Sequence, residues 1–162
     1  MRVGVITISD SRARGEREDR SGEKIKTIVR RIGAEVAAYT AIPDESKEVQ
    51  AELVRMVDEV KVDLIITTGG TGLSSRDVTP EATLRVIDKE VPGLVEAMRA
   101  ESFKKTPHAL LSRAVAGIRR QSLIINLPGS PKAVEECLSL ILPTLPHAVE
   151  VLKGEAAECG GP

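Results

Sequence analysis

Residues 67–82 read TTGGTGLSSRDVTPEA, and this stretch decides the fold. It follows an apolar run at residues 62–66 and places three glycines within four residues. Glycines let backbone N–H groups approach an anion closely, and a helix start adds the positive end of its dipole. Thr79 is a natural N-cap, Pro80 suits the first helical position and Glu81 suits the first turn. The stretch therefore predicts a strand, an anion-binding loop and a capped helix in succession.

This loop differs from the common phosphate-binding motifs. It lacks the lysine of GxxxxGK[ST], and the chain has no GxGxxG, which argues against an ordinary dinucleotide fold. Among glycines that bind an anion, Asp77 is better placed to hold a metal ion than to bind the anion itself. The interpretation is phosphate chemistry with a divalent ion. The alternative is a tight strand-to-helix turn in which Asp77 is a capping or solvated acid.

Outside this stretch, strand-like runs alternate with amphipathic helical patterns. The strand-like runs are residues 3–8, 35–41, 63–67, 114–118 and 123–126. Apolar residues recur at helical spacing over residues 25–32, where Gly33 ends the pattern, over 49–60, and over 134–142 in a helix that starts at Pro131. Helices are also predicted around residues 80–88 and 93–104. This alternation predicts a mostly parallel sheet with helices on both faces, a three-layer α/β/α sandwich. We expect one domain over residues 1–153 and a flexible tail at 154–162.

Ligands of such sheets bind beyond the carboxyl ends of the strands. That rule predicts that four segments meet at one edge: Ser9 and Asp10, residues 42–45, the glycine loop, and residues 127–130. In the last segment Ser130 is a candidate N-cap, and Pro131 suits the start of the closing helix. Residues 12–20, rich in both signs of charge, are expected to form a mobile surface loop.

Composition excludes several classes of function. A net charge of −1 and an aromatic content of one Tyr and one Phe argue against nucleic-acid binding. The apolar runs have the length of strands, so we expect no membrane span, and no room remains for a signal peptide. Of two cysteines, Cys137 is predicted to be buried on a helix face and Cys159 to lie in the tail. A cytoplasmic location follows.

Six motifs in order resemble the MoaB/Mog family of molybdenum-cofactor biosynthesis proteins. They are residues 8–10 (ISD), 18–22 (EDRSG), 42–45 (IPDE), 67–83, 111–113 (LSR) and 126–132 (NLPGSPK). The resemblance runs nearly end to end. It implies the molybdopterin-binding type of α/β fold and assembly as trimers, or as hexamers of two trimers.

The resemblance also implies an enzyme, a nucleotidyltransferase. Its reaction is adenylyl transfer from Mg-ATP to the terminal phosphate of molybdopterin, with release of pyrophosphate. The adenylylated pterin then goes to a metal-insertion partner. The alternative function is a molybdopterin-binding protein of the MoaB kind that does not catalyse the transfer. Retention of residues 76–82 (RDVTPEA) and 43–45 (PDE) favours the enzyme. A scaffolding module ranks last, because the chain shows no linker or second domain.

Asp44 and Asp77 are the candidate catalytic and Mg²⁺-binding residues. Magnesium prefers carboxylate oxygens while it keeps waters and substrate phosphates in its shell. Both acids follow predicted strands, and by resemblance they match the family's pair of functionally important aspartates. The alternatives are a turn or cap role for Asp44, and for Asp77 an ion pair with Arg76 or a local turn bond.

Other residues are candidates for substrate binding. Those of the glycine loop are expected to wrap phosphates through backbone donors: Gly69, Gly70, Thr71 and Gly72. Ser112 and Arg113 are expected to meet a phosphate, since arginine offers a planar fork of donors, and a solvated surface arginine is the alternative. Pro128, Gly129 and Ser130 are expected to form a second anion-binding turn, with a plain helix cap as the alternative. Ser9 and Asp10 are expected to border the nucleotide.

Overall fold

A computed structural model of the chain describes residues 1–155 and contains one six-stranded sheet. The strands are β1 (Arg2–Ile8), β2 (Glu35–Ile42), β3 (Leu64–Thr68), β4 (Lys89–Glu90), β5 (Ala116–Arg119) and β6 (Ser122–Leu127). The helices are α1 (Asp10–Ala13), α2 (Arg20–Val29), α3 (Ser46–Asp58), α4 (Thr79–Leu84), α5 (Pro92–Phe103), α6 (Pro131–Ile141) and α7 (Leu145–Lys153). Short 3₁₀ turns lie at Arg30–Ile32, Pro107–Leu111 and Leu142–Thr144.

The sheet is mostly parallel, as the alternation of strands and helices predicts. Its order is β2-β1-β3-β6-β5-β4, in which β2, β1, β3 and β6 are parallel neighbours. The remaining pairs, β6 with β5 and β5 with β4, are antiparallel. A two-residue turn joins β5 to β6 and sets Arg119 opposite Ser122. The four segments that follow the parallel strands therefore lie at one edge of the sheet.

The core lies on both faces of the sheet. Val3 and Val5 of β1 pack in a cluster that also holds buried residues of α2, α5, α6 and α7. Ile6 and Ile8 of the same strand pack on the opposite face with buried residues of α3 and α4. Every residue of β3 is buried, which explains why its sequence is a continuous run rather than an alternating one. The three-layer α/β/α prediction is confirmed.

Several local predictions are also confirmed. Gly33 ends the first long helical segment with a left-handed φ of 70°. The Cys137 side chain is buried on α6, and burial raises the pKa of its thiol. No helix among residues 1–155 has both the length and the apolarity that a membrane span requires. The predictions for Cys159 and for the tail beyond residue 155 lie outside the described residues.

Two predictions are wrong in extent. The helix predicted over residues 80–88 ends at Leu84, because the chain turns there to form β4, whose two residues pair with β5. The loop predicted over residues 12–20 is partly helical: α1 covers Asp10–Ala13, and Asp19 caps α2. The Asp19 carboxylate accepts a hydrogen bond from Gly22 N at 3.0 Å. That bond ties the segment to the helix that follows.

Candidate active site

The four predicted segments meet at the carboxyl edge of the parallel strands. Ser9 N donates to Ile42 O at 2.9 Å, which joins the ends of β1 and β2. Gly69 N donates to Leu127 O at 3.3 Å, and Thr68 Oγ1 donates to Pro128 O at 2.6 Å. The last two bonds join the start of the glycine loop to the segment that follows β6, and Gly69 also lies against Ile8 O at the end of β1. The predicted meeting of the segments is confirmed.

Gly69 and Gly70 adopt conformations that favour glycine. Their φ angles are 98° and 64°, in the left-handed region. A Cβ at Gly69 would overlap the carbonyl oxygen of Ile8. A Cβ at Gly70 would overlap the hydroxyl of Thr79 and lie 3.2 Å from Asp44 Oδ1. The loop is therefore packed tightly against the end of β1 and against Asp44.

The loop leaves consecutive backbone donors unpaired. Among the described residues, no acceptor takes a hydrogen bond from the N–H groups of Gly70, Thr71 or Gly72. Yet Thr71 is a buried residue, with 6% of its surface exposed. Unpaired N–H groups at a partly enclosed position are costly unless water or a ligand accepts from them. Three successive donors of this kind suit an anion with several oxygens.

Thr79 does not cap α4, so the predicted N-cap is wrong. It is the first residue of the helix, and the N-cap position belongs to Val78, whose side chain has no polar atom. The Thr79 hydroxyl donates to Gly69 O at 2.9 Å, and its backbone N donates to Gly70 O at 3.1 Å. Thr79 thus closes the glycine loop onto the helix start. Pro80 is therefore the second helical residue and not the first as predicted, while Glu81 lies in the first turn as predicted.

Asp77 has a local hydrogen bond and a free oxygen. Its Oδ2 accepts from Ser74 N at 2.9 Å, so the local turn bond expected as an alternative is present. A Cβ at Gly72 would lie 2.9 Å from the same Oδ2. No described residue donates to Asp77 Oδ1. The other alternative, an ion pair between Asp77 and Arg76, does not form, because the Arg76 guanidinium contacts Asp10 and Glu45 instead.

Asp44 exchanges hydrogen bonds with Asp10 rather than capping α3. Asp10 N donates to Asp44 Oδ2 at 3.0 Å, and Asp44 N donates to Asp10 Oδ1 at 3.1 Å. The N-cap position of α3 belongs to Glu45. Burial raises the pKa of Asp44, and the negative charges of Asp10 and Asp77 add to the rise. A cation placed beside Asp44 would relieve both effects.

The Arg113 side chain binds carbonyl oxygens of the loop between β3 and α4. Its Nε donates to Gly72 O at 2.7 Å, its Nη2 donates to Asp77 O at 2.8 Å, and its Nη1 pairs with Glu81. This role was in neither sequence-based alternative for Arg113, and its contact with a phosphate stays a prediction. Ser112 lies beside it, and its hydroxyl accepts from Ala114 N at 3.4 Å. Ser112 and Pro128 also line a cavity of about 240 Å³ between α5 and α6.

The second turn, at residues 128–130, is a capped helix start. Ser130 Oγ accepts from Ala133 N at 3.2 Å, which confirms the predicted N-cap. Gly129 O accepts from Ser21 Oγ at 2.7 Å, and a Cβ at Gly129 would lie 3.4 Å from Gly69 Cα. The two turns are therefore in contact. Anion binding by residues 128–130 stays a prediction.

Two polar residues near the site lie in the quoted motifs, but the sequence had suggested no role for either. Asp19 accepts from Thr7 Oγ1 at 2.5 Å and from Tyr39 OH at 2.7 Å. Burial works to raise the pKa of Asp19, but its hydrogen bonds from Thr7, Gly22 and Tyr39 outweigh burial and lower it. The signal available was an aspartate three residues before Gly22, at the start of a helical pattern.

Asn126 is the second residue of this kind. It is fully buried in β6, and its Nδ2 donates to Thr67 Oγ1 and Thr83 Oγ1, each at 3.0 Å. Its Oδ1 accepts from Val115 N at 3.1 Å. The side chain therefore joins the end of β3 to α4 beneath the glycine loop. An amide inside an otherwise apolar strand was the signal, since a buried polar group requires partners.

The chain is similar to known proteins over nearly its whole length. Residues 4–147 match the family described as "Probable molybdopterin binding domain". The molybdopterin adenylyltransferase of Helicobacter pylori (strain J99) is 44% identical over 154 residues, covering 94% of this chain and 88% of that protein. The molybdopterin adenylyltransferase of Escherichia coli (strain K12) is 37% identical, covering 98% of this chain and 88% of that protein. The crystal structure of the molybdopterin biosynthesis enzyme MoaB from Thermus thermophilus superimposes with a TM-score of 0.90 at 48% identity, covering 97% of this chain and 99% of that one.

Proposed function

The chain belongs to the family of probable molybdopterin-binding domains, and from that membership we propose that it is a molybdopterin adenylyltransferase of molybdenum-cofactor biosynthesis. It transfers AMP from ATP to the terminal phosphate of molybdopterin. One phosphate oxygen of the pterin bonds to the α-phosphorus of ATP, and the bond from that phosphorus to the β-phosphate oxygen breaks. Pyrophosphate leaves with the electron pair of the broken bond.

The observation that carries this proposal is the set of unpaired N–H groups between two carboxylates. The donors belong to Gly70, Thr71 and Gly72, while Asp44 faces the loop at one end and Asp77 at the other. Nucleotidyl transfer brings two polyanions together, so its barrier is largely electrostatic. Fixed backbone donors bind and orient phosphate oxygens without reorganising during the reaction. Arg113 donates to the carbonyl oxygens of Gly72 and Asp77, and these bonds help to fix the loop in one conformation.

Asp44 and Asp77 would hold a Mg²⁺ ion. Within residues 1–155 no group of three or more His, Cys, Asp or Glu side chains is arranged to bind a metal by itself. Mg²⁺ does not need one, because it is usually held by one or two carboxylates, waters and substrate phosphates. The residues fit the ion, since Asp44 is partly desolvated among other negative charges. When bound, the ion neutralises charge on the phosphates.

The proposal extends to assembly and location. The protein forms trimers, or hexamers of two trimers, works in the cytoplasm, and passes its product to a metal-insertion enzyme. Sedimentation at micromolar concentration tests assembly, and a monomer would contradict it.

The function is tested by incubating the purified protein with molybdopterin and Mg-ATP. We expect adenylylated pterin and pyrophosphate in equal amounts, and neither when EDTA removes the metal. Tight pterin binding without product would instead assign the chain to the non-catalytic MoaB kind. A sample that neither binds pterin nor forms product would contradict both functions.

A further inference from the structure

Arg76 lies in the middle of the acidic residues at the candidate site. Its Nη2 contacts Asp10 Oδ1 at 2.9 Å, its Nε contacts Asp10 Oδ2 at 3.2 Å, and its Nη1 contacts Glu45 Oε1 at 2.8 Å. We call Asp10, Asp44 and Glu45 the acidic cluster. Arg76 thus joins the far end of the glycine loop to the segments that follow β1 and β2.

The charge of Arg76 also acts on Asp44. The Asp10 carboxylate that Arg76 binds also accepts a hydrogen bond from Asp44 N at 3.1 Å. Asp10 therefore links the guanidinium to Asp44, the proposed metal ligand. The guanidinium also pairs with Glu45, the residue next to Asp44 in the chain, so its positive charge lies close to Asp44 from two sides of the contact. In this state Arg76 therefore supplies part of the charge that a metal ion would supply.

Unlike the carboxylates around it, Arg76 does not change its protonation state. Its guanidinium stays charged under all ordinary conditions, so it leaves the cluster only by moving and never by losing a proton. About half of its side chain is exposed, at 51%, which leaves room for movement. Its planar fork of donors binds phosphate as well as carboxylate. A nucleotide would offer Arg76 a second anionic partner near the first.

We propose that Arg76 is the resident counter-cation of this site, which holds the acidic cluster together, opposes binding of a bare divalent ion, and moves to the phosphates when metal and nucleotide arrive together. The inference rests on the proposed function, in that Asp44 helps to hold the metal. It makes Arg76 a positioning residue. It also implies positive coupling, in which the nucleotide tightens binding of the metal.

The test measures binding of Mn²⁺ by the electron paramagnetic resonance signal of the free ion. The samples are the wild type, Arg76→Gln, and the matched control Arg55→Gln, with and without α,β-methylene-ATP. Arg55 is a suitable control because its guanidinium also pairs with a glutamate, Glu52, at 2.7 Å and is 43% exposed. Arg76→Gln should bind Mn²⁺ alone about tenfold tighter than wild type, while Arg55→Gln should match wild type. The analogue should tighten Mn²⁺ binding less in Arg76→Gln than in wild type.

Adding Asp44→Asn to Arg76→Gln locates the effect, since it should remove the gain in affinity. Equal or weaker Mn²⁺ binding by a folded Arg76→Gln protein would overturn the inference, as would a gain that survives Asp44→Asn. The inference then fails alone if the wild type still adenylylates molybdopterin with Mg-ATP. If the wild type binds no Mn²⁺ with the analogue and forms no product, the proposed function fails as well.

Discussion

The turns after β3 and after β6 begin alike and end differently. Thr68 and Leu127 are paired residues at the ends of parallel strands, and each turn leads to a helix with proline in its first turn. The turn after β6 needs three residues, 128–130, and Ser130 caps the helix through a local hydrogen bond. The turn after β3 needs ten, 69–78, and is closed by Thr79 and Arg113.

The two turns share their backbone chemistry and differ in their acids. Side chains bind carbonyl oxygens in both, from Thr68 and Ser21 in the short turn and from Thr79 and Arg113 in the long turn. Among the described residues, successive N–H groups are unpaired at 129–130 in the short turn and at 70–72 in the long turn. Only the long turn carries a carboxylate of its own, Asp77, and lies against a second, Asp44. The long turn is therefore the one suited to hold a metal ion beside a bound anion. Four predictions test this contrast.

The largest effect is expected for Asp77→Asn in the long turn. The amide oxygen can still accept from Ser74 N, so the turn should persist while the charge is lost. We expect kcat/KM for adenylyl transfer to fall by about 10²–10³-fold, with little change in Tm. The control is Asp88→Asn, which keeps an acceptor for Arg120 N away from the site and should change the rate less than about twofold. Wild-type turnover by Asp77→Asn would show that the long turn does not hold the metal.

Gly69→Ala tests how tightly the long turn is packed. The new Cβ would overlap Ile8 O and would require a left-handed backbone, so we expect roughly 2–4 kcal/mol less stability. Gly33→Ala is the matched control, because Gly33 also has positive φ but no atom near its Cβ position. It should lose about 1 kcal/mol. Urea unfolding of both variants gives the comparison, and equal losses would mean that contact with β1 is unimportant.

Thr79→Val and Ser130→Ala compare the closing hydroxyls of the two turns. Thr79→Val keeps the shape but leaves the Gly69 carbonyl without its donor at a buried position, which should cost roughly 2 kcal/mol. Ser130→Ala removes a cap at an exposed helix start and should cost about 1 kcal/mol. Both values come from urea unfolding. A smaller loss for Thr79→Val than for Ser130→Ala would reverse the assignment of these roles.

The smallest effect concerns pH and the acid that faces the long turn. The pKa of Asp44 is raised in the fold, so its ionised form reduces stability at pH 7, and this disadvantage disappears once the group is protonated. Asp44→Asn should therefore raise Tm at pH 7 and lose that advantage near pH 3, below the ordinary aspartate pKa of about 3.9. Asp19 has a lowered pKa, so its contribution is present at pH 7 and is lost as pH falls through that pKa. Asp19→Asn should therefore lower Tm at pH 7. If melting curves at pH 7 showed Tm changing in the same direction for Asp44→Asn and Asp19→Asn, the opposite roles given to these two acids would be wrong.

Sequence reasoning was most successful where structure depends on neighbours along the chain. The period of apolar residues predicts α2, α3 and α6, and Ser130 before Pro131 predicts the cap that forms. The strand β4 was missed because its two residues are exposed and pair only through β5. Nothing in its own sequence distinguishes it from a loop.

The same reliance on neighbours along the chain limits what the sequence predicts about the candidate site. The strand-end rule brings together the segments that carry Asp10, Asp44 and Asp77, because it depends only on the strands being parallel. It does not show that Arg76 contacts Asp10, 66 residues away, or that Arg113 contacts Gly72, 41 residues away. Thr79 was misassigned for this reason: its local sequence is that of a cap, but the returning loop offers its hydroxyl a carbonyl oxygen instead. Contacts between distant side chains leave no periodic signal in the sequence.

The most direct measurement follows the two ends of ATP with isotope labels. The protein is incubated with molybdopterin and Mg-ATP labelled with ³²P at either the α- or the γ-phosphate, and the pterin product is separated from pyrophosphate. Adenylyl transfer predicts that the α-label appears in the pterin and the γ-label in pyrophosphate. A γ-label in the pterin would show phosphoryl transfer instead, and a pterin without either label would contradict the assignment of an enzyme.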